Sequence, residues 1–331
     1  MKTLKEKTIK RWTSILLLTL LALIIVRPLE AYELNLGTNL PPVDFHGFVG
    51  QGFLYSSSYN YLGDSTRGSF KFTEAGLNAS FNPLPRTRIA VQGFTYDVGA
   101  AGRYDFVLDY ALAEYTFNDC FGIRAGRIRR PQGLYNDTQD VDAARTFILL
   151  PQGIYDARWR DFYVSLDGGE FFGAIPLNKA GSLFYEIYAG IINPSEDGGL
   201  GQNIRNSLPS FIHLDSISSD EIFGGQLWWN TPVDGLRFGV AGAFIPTENF
   251  TSTIQTLGGP LHPDNRASVS FEQYSAEYLW KSWTFQAETF FFRHLPRRRN
   301  GQYPPSHLVW QRGVSLQQMV RGGRLLHGIL W

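Results

Sequence analysis

The chain is poor in sulfur, with one cysteine, Cys120, and 2 methionines in 331 residues. A lone cysteine forms no internal disulfide, which excludes a disulfide-stapled scaffold and a cysteine-based zinc site. Long apolar runs are equally scarce. The run from Ile15 to Val26 holds about a dozen residues, short of the roughly 20 that a spanning helix needs. No later segment does better, so any membrane role falls to strands. Catalytic signatures are also missing. There is no Gly-x-Ser-x-Gly elbow. The histidines His46, His213, His262, His294, His307 and His327 stand at no motif-like spacing to a serine, and none forms a histidine–carboxylate cluster that would hold a metal. The glycines of GFVGQG (47–52) alternate along a strand and open no helix, so they are not a phosphate loop.

What the chain does have is aromatics, at 15%, and 34 glycines. That composition suits short strands joined by turns. Its net charge of zero hides three unlike segments. Residues 1–31 begin with Lys2, Lys5, Lys7, Lys10 and Arg11, continue with the apolar run, and end near Ala31, the order of a secretory signal peptide. Residues 32–292 carry 17 basic and 28 acidic side chains, a net charge of −11. Residues 293–331 carry seven arginines and no acid, which sets a boundary near Phe292.

The middle segment alternates apolar and polar residues with a period of two, the mark of a half-buried strand. In 73–81, Ala75, Leu77, Ala79 and Phe81 oppose Glu74, Gly76, Asn78 and Ser80. The same holds in 110–117, 162–167 and 283–288. Eleven strands are expected, at 45–57, 68–82, 87–97, 107–118, 121–132, 161–177, 181–194, 221–231, 236–247, 268–281 and 283–293. Their connections alternate in length. Pro83–Arg86, Asp119–Cys120, Leu177–Gly181, Thr231–Gly235 and Lys281–Ser282 are tight, and the others are long. A soluble sandwich has no reason to keep that order. A membrane barrel does, with short turns on one side and long loops on the other, and with aromatic girdles at both interfaces. The expected fold is thus all-β, an antiparallel transmembrane β-barrel.

Eleven is an odd count, and bacterial single-chain barrels have an even one. The tail shows no clear strand pattern, only a loose alternation of Leu325, His327, Ile329 and Trp331. The expectation is that the reading frame changes near Phe292, leaving 293–331 as a basic, non-barrel tail. A plain exposed extension is the alternative.

The third long connection, about Gln132 to Arg160, is the longest, and loops of that length are usually functional. It mixes Asp137, Asp140 and Asp142 with the apolar stretch Phe147 to Leu150, so it is expected to fold inward against the wall. The strand before it carries Arg124, Arg127, Arg129 and Arg130; Arg158 and Arg160 follow it. Alternation sets Ile123 and Ala125 outward with Arg124 inward, then Ile128 outward with Arg127 and Arg129 inward. That slip suggests a bulge near Gly126. The functional expectation is a field across a narrowed pore, loop acids facing wall arginines. The plainer one is that these arginines only hold the loop in place.

The run AGRIRRPQGLYNDTQDVDAARTFILLPQGIYDARWRD, residues 125–161, resembles the motif block of a porin-like family of Gram-negative outer-membrane proteins. Its marks are Gly126, Arg127, Gly133, Leu134, Tyr135, Asn136 and Ile148 to Gln152. The resemblance covers about residues 43–293. It implies sixteen strands with a constriction loop after the fifth, and a passive channel for small hydrophilic solutes or ions. It also implies an outer-membrane lipid environment and a homotrimer. No cofactor or nucleic-acid partner is expected, and no enzyme activity. The rival expectations are a truncated, non-conducting barrel fragment and an outer-membrane barrel enzyme.

Overall fold

The computed structural model describes residues 32–34, 37, 41–99, 101–141, 145, 147, 149–194, 198–297, 309–317, 320–321 and 324–325. The expected signal peptide and Asp142 lie outside the described residues. Six strands come first: β1 (Tyr32–Leu34), β2 (Val43–Gln51), β3 (Phe72–Phe81), β4 (Thr87–Val98), β5 (Phe106–Asn118) and β6 (Phe121–Arg129). A long connection containing helix α1 (Arg160–Tyr163) leads to β7 (Ser165–Pro176) and β8 (Ser182–Ile191). Helix α2 (Gly199–Ser207) precedes β9 (Ile212–Ser219), β10 (Glu221–Asn230), β11 (Leu236–Thr256) and β12 (Gly259–Leu261). Then come β13 (Asp264–Trp280), β14 (Trp283–Arg297), β15 (Val309–Gln317), β16 (Val320–Arg321) and β17 (Arg324–Leu325).

Fifteen of these strands form one antiparallel sheet in the order β1-β2-β3-β4-β5-β6-β7-β8-β10-β11-β13-β14-β15, with β9 and β12 added alongside β11. The eleven expected strands are all present, as β2 to β8, β10, β11, β13 and β14, and the five tight turns join the pairs they were expected to join. Nearest-neighbour antiparallel pairing is the up-and-down order of an outer-membrane β-barrel. Among the described residues no pairing links β15 to β1.

The two faces have opposite chemistry. On β8, Ile187 is 57% exposed while its neighbour Glu186 is 4% exposed. Leu77, Ile89, Val91, Ile123, Phe171, Phe223, Phe238 and Tyr274 share the outer face of successive strands and are exposed. Glu170, Glu186, Gln226, Gln273, Glu277, Gln286 and Glu288 lie inward and are buried. Apolar residues outside and polar ones inside invert the plan of a soluble protein and match a barrel surrounded by lipid. The sheet curls far enough for one loop to touch both β5 and β14, through contacts described with the site below.

At the long-loop end the interior is packed by apolar side chains. Ile128, Phe162, Leu166, Tyr188, Ile192, Leu200, Ile222, Ile245 and Val269 form one cluster, sealed by α1 and α2. Toward the tight turns the inward side chains become charged and polar.

Four strand expectations need correction. The stretch 161–177 begins as helix α1, so Phe162 and Val164 belong to no strand, and Phe162 and Leu166 pack inward. The stretch 236–247 runs on to Thr256, and β9 and β12 pair with this extension. The stretch 283–293 continues to Arg297, and β15, inside the segment read as strandless, pairs with it. The bulge is not at Gly126. The β6–β7 register runs unbroken through Arg124↔Glu170, Gly126↔Gly168 and Ile128↔Leu166. The slip falls instead in the β4–β5 pairing, after Gln92↔Tyr110, and inserts Asp109 as the extra residue. Unbroken alternation turns Ile128 inward, where it is fully buried, and turns Arg127 to the face opposite Arg124.

Candidate functional site

The loop from Arg130 to Val164 lies against the inner face of the sheet. Its ends are fixed by the backbone, since the Arg130 amide donates to the Val164 carbonyl at 2.9 Å. The Asn136 side chain sits inside that closure and donates to the Arg130 carbonyl at 2.5 Å. Two sets of side-chain contacts then hold the loop to opposite walls.

The first wall is β4–β5. The bulge at Asp109 swings its carboxylate inward, where Gln92 donates to it at 2.9 Å. Arg129, at the end of β6, donates to Asp109 at 3.0 Å and pairs with the loop carboxylate Asp140. Arg160, opening α1, reaches Asp109 at 2.6 Å and Asp140 at 2.5 Å. The Arg160 guanidinium also lies 4.1 Å from the ring centre of Phe94. Two guanidinium groups and two carboxylates thus close a buried network that joins the start, middle and end of the loop to the wall.

The second wall is β13–β14. Glu288 accepts from the Leu134 amide at 2.9 Å, from the Tyr155 hydroxyl at 3.0 Å, and from Gln273 and Ser275 at 2.9 Å each. Tyr135 reaches Gln286 through its hydroxyl. Burial pushes the Tyr155 phenol well above its ordinary range, so it stays protonated and donates.

Burial alone would raise the Asp140 carboxyl, but Arg160 and Arg129 more than offset it and hold it well below the usual carboxylate range. A depressed carboxyl contributes stability that is fully present above its unfolded value of about 3.9 and is lost as pH falls through the folded value. The stability difference between the native chain and Asp140→Asn is therefore expected to stay flat from neutral pH down to about 4 and to shrink only below that. Thermal unfolding in detergent across that pH range checks it; a difference that vanished near pH 6 would show that Asp140 is not held as an ion.

The nine residues expected at the constriction separate into groups. Arg129, Asp140 and Arg160 meet in the buried network. Arg124 faces inward but pairs with wall acids, Glu114 at 2.8 Å and Glu170 at 3.0 Å. Arg127, expected inward, pairs with Asp167 on the other face at 3.1 Å, near the rim where a charge costs little. Arg130 is fully buried, with its guanidinium 5.1 Å from the ring centre of Phe271. Arg158 pairs within the loop with Asp156, the residue that caps the turn before α1. Asp137 is exposed on the loop. Loop acids do face wall arginines, but the pairing is direct and buried, which is the loop-holding arrangement.

Sequence reasoning missed Asp109, Glu170, Glu186 and Glu288 as site residues. Glu170 was within reach, because carrying the inward phase of Arg124 across β7 selects it. Asp109 was not, because a bulge breaks the phase that would locate it.

A second cluster bears on enzyme activity. The Thr253 hydroxyl donates to Asp215 at 2.8 Å and lies 2.9 Å from His262 Nδ1. In a hydrolytic triad the histidine stands between acid and nucleophile. Here the threonine does, so Asp215 does not orient His262 as a base.

No protein-family model matches the chain, and no curated protein matches it in sequence. Solved structures of outer-membrane proteins do show a likeness. OmpT of Vibrio cholerae is 8% identical, with 82% of this chain and 68% of that chain covered and a TM-score of 0.46. OmpF of Salmonella typhi, solved in complex with daunomycin, is 10% identical, covering 86% and 88%, with a TM-score of 0.38. A mutant porin from a Rhodobacter species is 10% identical, covering 79% and 96%, with a TM-score of 0.30. The fold class stands on the strand order and the two faces described above.

Proposed function

We propose that this protein is an outer-membrane porin of a Gram-negative bacterium, a passive diffusion channel for small hydrophilic solutes or ions. In this reading it is exported through its N-terminal signal and assembles as a homotrimer in outer-membrane lipid, and it is not an enzyme. The observation that carries the reading is the pair of opposite faces, apolar side chains exposed outside and polar ones buried inside, with one long loop held against the inner wall from both β5 and β14. Arg129, Asp140 and Arg160 serve the channel by fixing the loop, and Arg124 and Asp137 line it.

A second reading is a plugged, non-conducting barrel. The apolar cluster at the long-loop end favours it. Full-length protein, folded in detergent and added to a planar bilayer, separates the two. Stepwise ion currents are expected of the channel. Folded protein that inserts and gives no steps overturns the channel reading in favour of the plug.

A further inference from the structure

We infer that the sheet's inner rim, at the tight-turn end, holds a docking site for a small organic carboxylate, anchored by the Arg88 guanidinium. The site stands apart from the loop network, and nothing in the channel reading requires it.

The ion pairs of the inner wall leave Arg88 over. Ile89 and Val91 are exposed on the outer face, so alternation along β4 turns Arg88 inward. The β4–β5 register places Glu114 directly opposite it. Glu114, however, accepts from Arg124 at 2.8 Å, and Arg124 is tied on its other side to Glu170 at 3.0 Å. Two wall acids thus serve one guanidinium. Arg88 is exposed, and it has no hydrogen-bond or ion-pair partner among the described residues.

Arg88 opens onto a cavity of about 490 Å³, lined also by the turn Pro83–Arg86, by Glu114 and by Thr116. The turn is held in one shape. The Thr87 amide donates to the Leu84 carbonyl at 3.1 Å, and the Thr116 amide to the Arg86 carbonyl at 2.9 Å. Arg86 has a φ of 64°, in the left-handed region, where a residue other than glycine stays only when its surroundings fix it. Its guanidinium donates to the Phe117 carbonyl, which leaves Arg88 as the free donor.

The lining selects the ligand class. A cavity of this size takes a small organic molecule rather than a bare ion. A guanidinium matches a carboxylate through two parallel hydrogen bonds. Pro83 and Pro85 have no amide hydrogen to offer, and with Leu84 they supply apolar surface. One charged end on a small apolar body fits that combination. A cation would meet two guanidinium groups and a single carboxylate that Arg124 already holds.

Equilibrium dialysis of radiolabelled benzoate against the full chain, folded in detergent, tests this. Saturable binding is expected, displaced by unlabelled benzoate but not by benzamide, which keeps the ring and lacks the charge. Arg88→Gln, first shown to fold by heat-modifiable migration, is expected to weaken binding about tenfold, the loss of hydrogen bonds to a charged group. Arg88→Lys keeps the charge without the planar fork and is expected to weaken it by less, though measurably. Absence of saturable binding, or equal displacement by benzamide, overturns the inference on the native chain alone. Native affinity in either variant, once folded, overturns it as well. Binding is read without a bilayer, so its failure is distinct from a failure of the channel reading.

Discussion

Replacing Asp140 by alanine is expected to destabilise the folded protein by about 3 kcal/mol, a large effect for one loop residue. The cause is the charge left behind. Asp140 bridges Arg129 and Arg160, both nearly buried, and without it Asp109 alone must balance two guanidinium groups. Removing one partner of a buried pair leaves an uncompensated charge, which costs more than the pair contributes. The middle of the loop loosens as a consequence, because the same acid ties it to both loop ends, which Asp109 holds to the wall. Thermal unfolding in detergent should show a lower midpoint, and protease added from the loop side should cut between residues 130 and 164 before the strands. The charge-reversed double variant Arg160→Asp with Asp140→Arg should not restore it, since Asp109 holds Arg160 in the native arrangement as well. A native midpoint in Asp140→Ala would show that the network does not anchor the loop.

Ile187→Arg is expected to cost roughly 2–4 kcal/mol of folding stability in vesicles, the penalty for arginine near the middle of a bilayer on a barrel's outer face. Ile187 sits at the centre of β8 and is among the most exposed apolar residues of the sheet. In a soluble protein such a change on an exposed position would be neutral or favourable. The sign of the effect thus separates lipid from water as the surrounding medium. Urea titration of folding into vesicles measures it, with Ile187→Leu as the reference. An Ile187→Arg protein as stable as the reference would mean that this face does not meet hydrocarbon.

The fold was largely legible because its pattern is local. Runs such as AGLNASF (75–81) and WTFQAE (283–288) alternate cleanly, and tight turns separate them at regular places, so eleven strands could be counted in order. Failures came where a second influence acted on the same letters. Phe162, Val164 and Leu166 alternate by chance, while Asp156 caps a turn that leads the chain into α1. Arg127 and Ile128 fall on the faces opposite to those expected, because too many arginines crowd 124–130 for alternation to resolve. Asp109 gains its inward position from a bulge, which nothing in its neighbours announces. Glu186 hides in SLFYEIYAG, where aromatics stand on both faces and the phase cannot be read. The loop's inward fold follows from its apolar stretch, but its anchors on β14, Gln286 and Glu288, lie 151 and 154 residues from the Tyr135 and Leu134 they hold, a pairing only the curve of the sheet creates.

The most direct test of the account is a scan of β8 for contact with lipid. Single cysteines from Leu183 to Ala189, placed in a Cys120→Ser background, would carry a fluorophore in vesicles containing brominated lipid. Quenching is predicted at Leu183, Tyr185, Ile187 and Ala189, and not at Phe184, Glu186 and Tyr188. Quenching at none of these positions, or equally at all of them, would contradict a membrane barrel whose polar face is turned inward.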